Sequence, residues 1–279
     1  MIRVLPRRAF LGAAPAIPWI FSRTPQSAPA PAAGFPAQDP DVVREVVGAS
    51  HGNIARVKEL VGARPALARA SWDWCYGDWE TPIDAASHVG NRPIAELLIA
   101  NGARPTIFTA AMMGQLTILK GWIDTSPGIQ RMRGPHGITL LAHAKAGGAA
   151  AADVVKYLES LGDADPRYTD LPLSDAELAA IAGEYAFGPG ATERLKVARN
   201  ARGILTIARA GGVERNLSHQ GGLVFIPAGA EAVRIRIESR TLTITDGPQI
   251  VTATRTETRA VLLRGGERSG KDILPPARL

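Results

Sequence analysis

The segment Gly48–Gly52 reads GASHG and has the G-x-S-x-G spacing that presents a nucleophilic serine in many hydrolases. In those enzymes the serine lies on a sharp turn that follows a β-strand within an alternating β/α sheet. Here the motif falls at the end of a predicted helix. Ala49 and Gly52 also belong to a helical repeat, described below, which accounts for them without catalysis. We therefore do not expect Ser50 to be catalytic.

A second segment, from Gly265 to Asp272, nearly matches a phosphate-binding loop. Asp272 stands where a serine or threonine is needed to bind Mg²⁺, and Pro275 and Pro276 end any helix that follows. A phosphate loop requires the N-terminus of such a helix. We therefore expect no nucleotide site here.

The five histidines do not form a known metal-binding spacing. Neither H-E-x-x-H nor a Cys/His zinc pattern occurs, and Cys75 is the only cysteine. His51 and His88 occupy equivalent repeat positions, and we expect them to be solvent-side helix residues or stacking contacts. His136 and His143 belong to a later turn and helix. The sequence therefore predicts no catalytic residue, no metal site and no cofactor, and we do not expect an enzyme.

The N-terminal residues have the features of an export signal. Arg7, Arg8, Phe10 and Leu11 form an RR-x-F-L arrangement, followed by a short apolar run and a small-residue segment with a candidate cleavage site at 28–30. The run is far shorter than the ~20 residues needed to cross a bilayer. We expect twin-arginine export to the periplasm or beyond, with residues 1–40 as signal and linker and no transmembrane segment.

Charge and spacing also limit the function classes. The 32 basic and 26 acidic residues give a net charge of +6, but the basic residues are scattered, so we expect no nucleic-acid binding.

Similar segments recur between residues 41 and 165, each with small residues, a glycine stop and a second apolar stripe. The repeat glycines lie at 52, 90, 114 and about 148, in steps of 38, 24 and 34 residues. Such recurrence predicts stacked helical pairs.

The clearest unit is TPIDAASHVGNRPIAELLIANGARP, residues 81–105. It resembles the ankyrin repeat, in which Thr-Pro opens the first helix and a small alanine pair lets neighbouring repeats approach. Asp84 stands at the family's usual histidine position, so the hydrogen bonding there differs. The resemblance covers about residues 41–165 and implies an ankyrin-like domain of about four helical pairs at 41–166.

The long first step between repeat glycines contains SWDWCYGDW, residues 71–79. We expect this segment to form an enlarged finger, with Asp73 and Asp78 facing solvent. Exposed tryptophan and tyrosine dominate protein-binding hot spots. Alternatively, the indoles fold back onto the helices; at least one should pack and at least one should stay exposed. The predicted partner-binding residues are Trp72, Trp74, Tyr76, Trp79, Arg104, Arg131 and Arg133.

After Pro166 the apolar period changes from 3.6 to 2. Ser174 and Glu177 form a capping box before a short helix, and Val233, Ile235 and Ile237 share one face of a strand. We predict a small antiparallel barrel or curved sheet at 171–258, followed by a tail at 259–279. This part is similar to the small β-domain that follows β-lactamase-like serine hydrolases, but it lacks the hydrolase and any Ser-x-x-Lys motif.

Together these patterns predict a multi-domain α + β protein, an ankyrin-like α-solenoid followed by a small antiparallel β-barrel or curved sheet. The predicted function is non-enzymatic binding of a protein partner through the finger and the concave face of the solenoid. The alternative is a β-barrel that binds a small ligand and is supported by the solenoid. A pocket lined by Phe187, Phe225 and Ile235 would favour that alternative, since small barrels hold a ligand only when inward positions leave room.

Overall fold

The computed structural model describes residues 36–256. The chain divides into two units, Met1–Ala37 and Gln38–Leu279, and the helices and strands of residues 36–256 all lie in the second unit. The predicted export motif at Arg7 and Arg8 and the predicted tail at 259–279 lie outside the described residues, so both stay predictions.

Residues 38–181 are mostly helical. The α-helices are α1 (Pro40–Ala49), α2 (Ile54–Ala63), α3 (Pro82–His88), α4 (Arg92–Ala100), α5 (Ile107–Met112), α6 (Leu116–Thr125), α7 (Leu140–Ala146), α8 (Ala152–Leu161) and α9 (Asp175–Ile181). Short 3-10 helices span Pro65–Arg69, Ile129–Arg131, Pro135–Gly137 and Gly148–Ala151. Consecutive helices contact each other in pairs, from α1 with α2 to α7 with α8.

Local signals explain where the helices start and stop. Thr81 caps α3 by accepting a hydrogen bond from the backbone N–H of Asp84, and Pro82 occupies the first turn. Gly90 follows the helix with a φ of +75°. A Cβ at Gly90 would lie 2.1 Å from the carbonyl oxygen of Ala146, so only glycine lets the end of α3 approach α7 this closely.

The predicted ankyrin-like α-solenoid is wrong. The helices from α1 to α8 contain only six to ten residues each and are separated by a β-hairpin and by 3-10 turns. Their buried side chains divide into two clusters, one within residues 46–112 and one within 107–164, whereas a solenoid stacks its repeats on a continuous core. The threonine, proline and glycine signals specify helix ends, and these local signals do not determine how the helices stack.

The predicted β-barrel is confirmed. Ten strands occur in the described residues: β1 (Trp72–Asp73), β2 (Trp79–Glu80), β3 (Gly183–Ala186), β4 (Arg194–Arg199), β5 (Leu205–Arg209), β6 (Arg215–Gly221), β7 (Val224–Pro227), β8 (Arg234–Glu238), β9 (Thr241–Asp246) and β10 (Gln249–Arg255). Strands β3 to β10 form a closed antiparallel barrel in sequential order, with β10 pairing β3. Apolar side chains such as Tyr185, Phe225 and Ile235 fill its interior.

One further prediction about this region is confirmed. Ser174 and Glu177 form the predicted capping box of α9. Strand β6 was not apparent from the alternation because Arg215 and His219 occupy two of its three buried positions, beside Leu217. No helix within residues 36–256 combines the length and apolar character needed to span a bilayer.

Candidate metal centre

A β-hairpin, β1 paired antiparallel with β2, carries the acidic side chains of the site. Its turn contains three consecutive residues with positive φ, Cys75 (+80°), Tyr76 (+63°) and Gly77 (+72°). Such backbone is strained for side chains other than glycine and is concentrated at functional sites. After this turn the alternation of an extended strand buries Asp78 and Glu80 and exposes Trp79.

Four segments bring one ligand residue each to the same place. His51 follows α1, Glu80 ends the hairpin, His88 ends α3, and His136 lies in the 3-10 turn Pro135–Gly137. One nitrogen or oxygen atom from each of these residues lies within 4.8 Å of the others. We call the group of His51, Glu80, His88 and His136 the His₃Glu cluster.

The Oε1 atom of Glu80 is the centre of the cluster. It lies 3.3 Å from His88 Nδ1, 3.3 Å from His136 Nε2 and 3.6 Å from His51 Nε2. Although these atoms are close, Oε1 has no hydrogen-bond partner among the described residues. Ligands of a tetrahedral metal with bonds of about 2.0–2.1 Å are separated by about 3.3 Å. The distances from Glu80 Oε1 are close to this spacing, whereas the four ligand atoms together spread over up to 4.8 Å, so the ligands would have to move closer together around a bound ion.

In two of the histidines, the ring nitrogen that faces away from Glu80 already has a hydrogen-bond partner. His51 Nδ1 lies 3.0 Å from the carbonyl oxygen of Gly48, and His136 Nδ1 lies 2.7 Å from Asp78 Oδ2. Both partners can only accept, so each Nδ1 is the donor, and Nε2 is the nitrogen that can ligate once the ring is neutral. Metal-binding histidines usually have such a partner on the second nitrogen.

The carboxylate of Glu80 is oriented by Trp74. The indole N–H of Trp74 donates to Glu80 Oε2 at 2.7 Å. This bond occupies Oε2 and leaves Oε1 facing the three imidazoles. His88 Nδ1 is likewise buried without a hydrogen-bond partner in the described part of the chain. Unpaired buried polar atoms are costly, and a shared metal ion would satisfy both of these atoms at once.

Asp78 links the His₃Glu cluster to the barrel. Its Oδ1 accepts the backbone N–H of His136 at 2.8 Å, and its Oδ2 also accepts a hydrogen bond from the buried Arg215 of β6. Burial raises the pKa of Asp78, but the hydrogen bonds from His136 and Arg215 outweigh this effect and lower that pKa below its usual value. Asp78 is therefore a charged carboxylate that fixes the orientation of the His136 ring.

The pKa of His136 is raised, whereas the pKa of His88 is lowered. Burial lowers the pKa of His136, but the Asp78 and Glu80 carboxylates outweigh it and raise the pKa to about 9. Burial, together with the neighbouring His51 and His136, lowers the pKa of His88 to about 3. His88 is thus held neutral, which is the form that binds metal, and metal binding at His136 has to displace a proton.

The structure places the predicted partner-binding residues in several environments. Trp72 and Trp74 pack against the core of the first helices, whereas Trp79 is 61% exposed, so the prediction that one indole packs and another stays exposed is confirmed. The expectation that Asp78 faces solvent is wrong, because Asp78 pairs with His136 and Arg215 inside the molecule.

The remaining predicted residues lie apart from the exposed indole. Tyr76 packs against the barrel core. Arg104 and Arg131 are exposed, and Arg131 pairs with Asp163 at 3.5 Å. Arg133 stacks on the ring of Tyr168, with 3.9 Å between the guanidinium carbon and the ring centroid, so its side chain is engaged inside the molecule. The hairpin carries the four aromatic residues, whereas the three arginines lie on other segments of the chain.

A separate cavity of about 340 Å³ lies at one end of the barrel. Tyr76 from the hairpin, Phe187, and the strand residues Leu195, Ile207 and Ile244 line it. Phe225 and Ile235, which the small-ligand alternative placed in a pocket, are instead fully buried in the barrel core. The cavity thus opens at the mouth of the barrel and does not extend through its interior.

The sequence analysis did not identify the His₃Glu cluster. One usable signal exists: His51 and His88 each follow Ala-Ser, in ASHG and ASHVG, just before a helix-ending glycine. Glu80 and His136 lie in irregular segments, so no helical or strand period connects them to this pair. Compared with known protein families the chain matches none, and it has no significant match among curated proteins.

Proposed function

We propose that this protein binds one divalent first-row transition metal ion through His51, Glu80, His88 and His136. The observation that carries the proposal is the position of Glu80 Oε1, which lies 3.3 to 3.6 Å from three imidazole nitrogens and accepts no well-aligned hydrogen bond among the described residues. Because the ligands come from four separate segments, the metal would also hold those segments together.

The donor set narrows the identity of the metal. Three imidazoles and one carboxylate suit zinc, iron, copper or nickel, whereas magnesium and calcium prefer oxygen ligands. Outer contacts support the same ligand set, since the Gly48 carbonyl and the Asp78 carboxylate fix the rings of His51 and His136. Trp74 in turn holds the carboxylate of Glu80.

Calorimetric titration of chelator-treated protein with Zn²⁺ tests this proposal. We expect one ion per chain with a Kd below about 1 μM, the range of preformed imidazole and carboxylate sites. Glu80→Gln should weaken binding by more than about 100-fold, because substitutions in the outer shell alone cost 10- to 100-fold.

Asp84→Asn is the matched control. Asp84 is also buried near the hairpin, but its carboxylate accepts hydrogen bonds from Thr81 and Thr106 and is not part of the His₃Glu cluster. We expect its Zn²⁺ affinity to stay close to that of the unsubstituted protein. Absence of stoichiometric binding to the folded, unsubstituted protein would overturn the proposal.

A second candidate function is recognition of a protein partner through the hairpin, favoured by the 61% exposure of Trp79. An exposed indole on a paired strand is typical of interface hot spots. Trp79→Ala should abolish capture of a partner from extract, while Val89→Ala, which also removes an exposed apolar side chain, should not. Equal capture by both variants would exclude Trp79 as the contact.

Binding of a small apolar molecule by the barrel is a third candidate, favoured by the cavity at its mouth. The volume of about 340 Å³ and the lining by Phe187, Ile207 and Ile244 suit a compact apolar ligand. Ile207→Trp would fill this space, so it should abolish enhancement of 1-anilinonaphthalene-8-sulfonate fluorescence if the dye binds there. Unchanged fluorescence would place the dye elsewhere.

A further inference from the structure

The His₃Glu cluster is closed on one side and open on the other. The side chains of Glu80 and His88 are buried, whereas those of His51 and His136 are 33% and 28% exposed. The same two histidines line a cavity of about 330 Å³, and Glu80 and His88 do not. A metal ion held by the cluster would therefore have one face toward this cavity.

The four residues of the His₃Glu cluster match a tetrahedral ligand set, and a zinc site can expand to five ligands when a further ligand reaches the metal from an accessible side. We infer that the cavity beside His51 and His136 admits a small oxygen-donor anion, such as a carboxylate, which binds the metal directly. This inference rests on the proposed metal site and assigns it an exchangeable ligand.

The charges around the cavity favour an anion. Arg202 and Arg215 contribute to its lining, opposed by one carboxylate, that of Glu214. Arg202 and Glu214 are both exposed and screened by solvent, and the buried Arg215 is already paired with Asp78. The metal ion would be the largest charge in the site, and its sign is also positive.

Arg215 keeps N–H donors that its protein partners do not use. Its two terminal nitrogens bind Asp78, the carbonyl oxygen of Ala228 at 3.2 Å and that of Trp74 at 2.8 Å. Its Nε is buried and has no hydrogen-bond partner in residues 36–256. Because Arg215 and His136 share the same oxygen of Asp78, the guanidinium lies beside a metal ligand. A carboxylate on the metal would therefore have a cationic group as a neighbour.

The size of the cavity limits the ligand class further. A volume of about 330 Å³ holds on the order of ten water molecules, at about 30 Å³ each. A small organic acid or inorganic oxoanion fits this space.

Visible spectroscopy of the Co²⁺-loaded full-length protein tests the inference, because the d–d bands of cobalt respond to an added ligand. Titration with sodium acetate should change the spectrum saturably, and acetamide, which is neutral and of similar size, should bind at least tenfold more weakly. Equal responses to both would overturn the assigned anionic class.

Variants at the cavity wall then test whether the anion reaches the metal through this cavity. Val213 lines the cavity without belonging to the His₃Glu cluster, so Val213→Trp should weaken acetate binding at least tenfold while cobalt remains bound. Ile250→Trp, at an exposed residue outside this cavity, should leave acetate binding unchanged.

The possible results separate the two proposals. Failure of folded protein to bind Co²⁺ would overturn the metal site itself. Cobalt binding without any acetate response would overturn only the exchangeable position. An acetate response that is equally strong in Val213→Trp would overturn the assignment of this cavity as the route.

Discussion

At the scale of single residues, Asp78 distinguishes a built metal site from a chance cluster of histidines. It touches no metal in the proposed arrangement, yet it holds the ring of His136 through both the backbone N–H and Nδ1. Loss of such an outer carboxylate typically lowers metal affinity 10- to 100-fold. We therefore expect Asp78→Asn to weaken Zn²⁺ binding by about that factor, measured by calorimetric titration.

The same substitution leaves the buried Arg215 without its charged partner, which alone costs about 3–5 kcal/mol of folding free energy. Circular dichroism must therefore show that the variant is folded before its affinity is compared. If it is not, the double variant Asp78→Asn/Arg215→Met removes the unpaired charge and allows the same measurement. Zn²⁺ affinity equal to that of the unsubstituted protein would contradict the role of Asp78.

Residue types alone did not reveal the His₃Glu cluster, and the reason is physical. His51 and His136 are 85 positions apart, and Glu80 lies in a hairpin that follows neither a helical nor a strand period. Only the tertiary approach of the α3 end, the hairpin and the 3-10 turn brings them together. The buried charge of Asp78 was also unpredictable, because its partner Arg215 comes from a strand 137 residues later.

At the scale of elements, the hairpin from Trp72 to Glu80 combines two roles. Trp72 packs on the core of the first helices, and Trp79 points to solvent. Trp72→Ala should lower the free energy of unfolding by about 2–3 kcal/mol, somewhat less than the 3–5 kcal/mol of a fully buried tryptophan. Trp79→Ala should change it by less than about 0.5 kcal/mol. Urea denaturation of the two variants measures the difference.

Similar losses in the two variants would mean that the hairpin is held equally by both indoles. That outcome would disagree with the exposure of Trp79 and would remove the support for partner recognition there. The comparison is matched because both variants delete an indole from paired strands of the same hairpin.

The sequence predicted individual elements better than their arrangement. Thr81 with Pro82 and Ser174 with Glu177 mark helix starts through local hydrogen bonds, so these starts are readable. The alternation in β8 likewise predicted a barrel strand. The solenoid was wrong because helix stacking depends on long-range packing, and β6 was hidden because its buried positions include Arg215 and His219.

At the scale of the whole molecule, the metal would join segments that are distant in the chain. The ligands come from the turn after α1, from the hairpin, from α3 and from the turn before α7, and Asp78 continues the connection to Arg215 in the barrel. A ligand that binds only the folded protein stabilises it, in proportion to the logarithm of its concentration over Kd. The proposed site therefore predicts a metal-dependent melting temperature for helices and barrel together.

Differential scanning calorimetry tests this coupling. Zn²⁺ at 100 times its Kd should stabilise the protein by about 2.7 kcal/mol, which raises the Tm by roughly 5–10 °C for a folded unit of this size. EDTA should reverse the shift. Glu80→Gln at the same Zn²⁺ concentration should lose nearly all of it, because its affinity is too low for saturation, and Asp84→Asn should keep it. A shift of the same size in Glu80→Gln would place the stabilising metal outside the His₃Glu cluster.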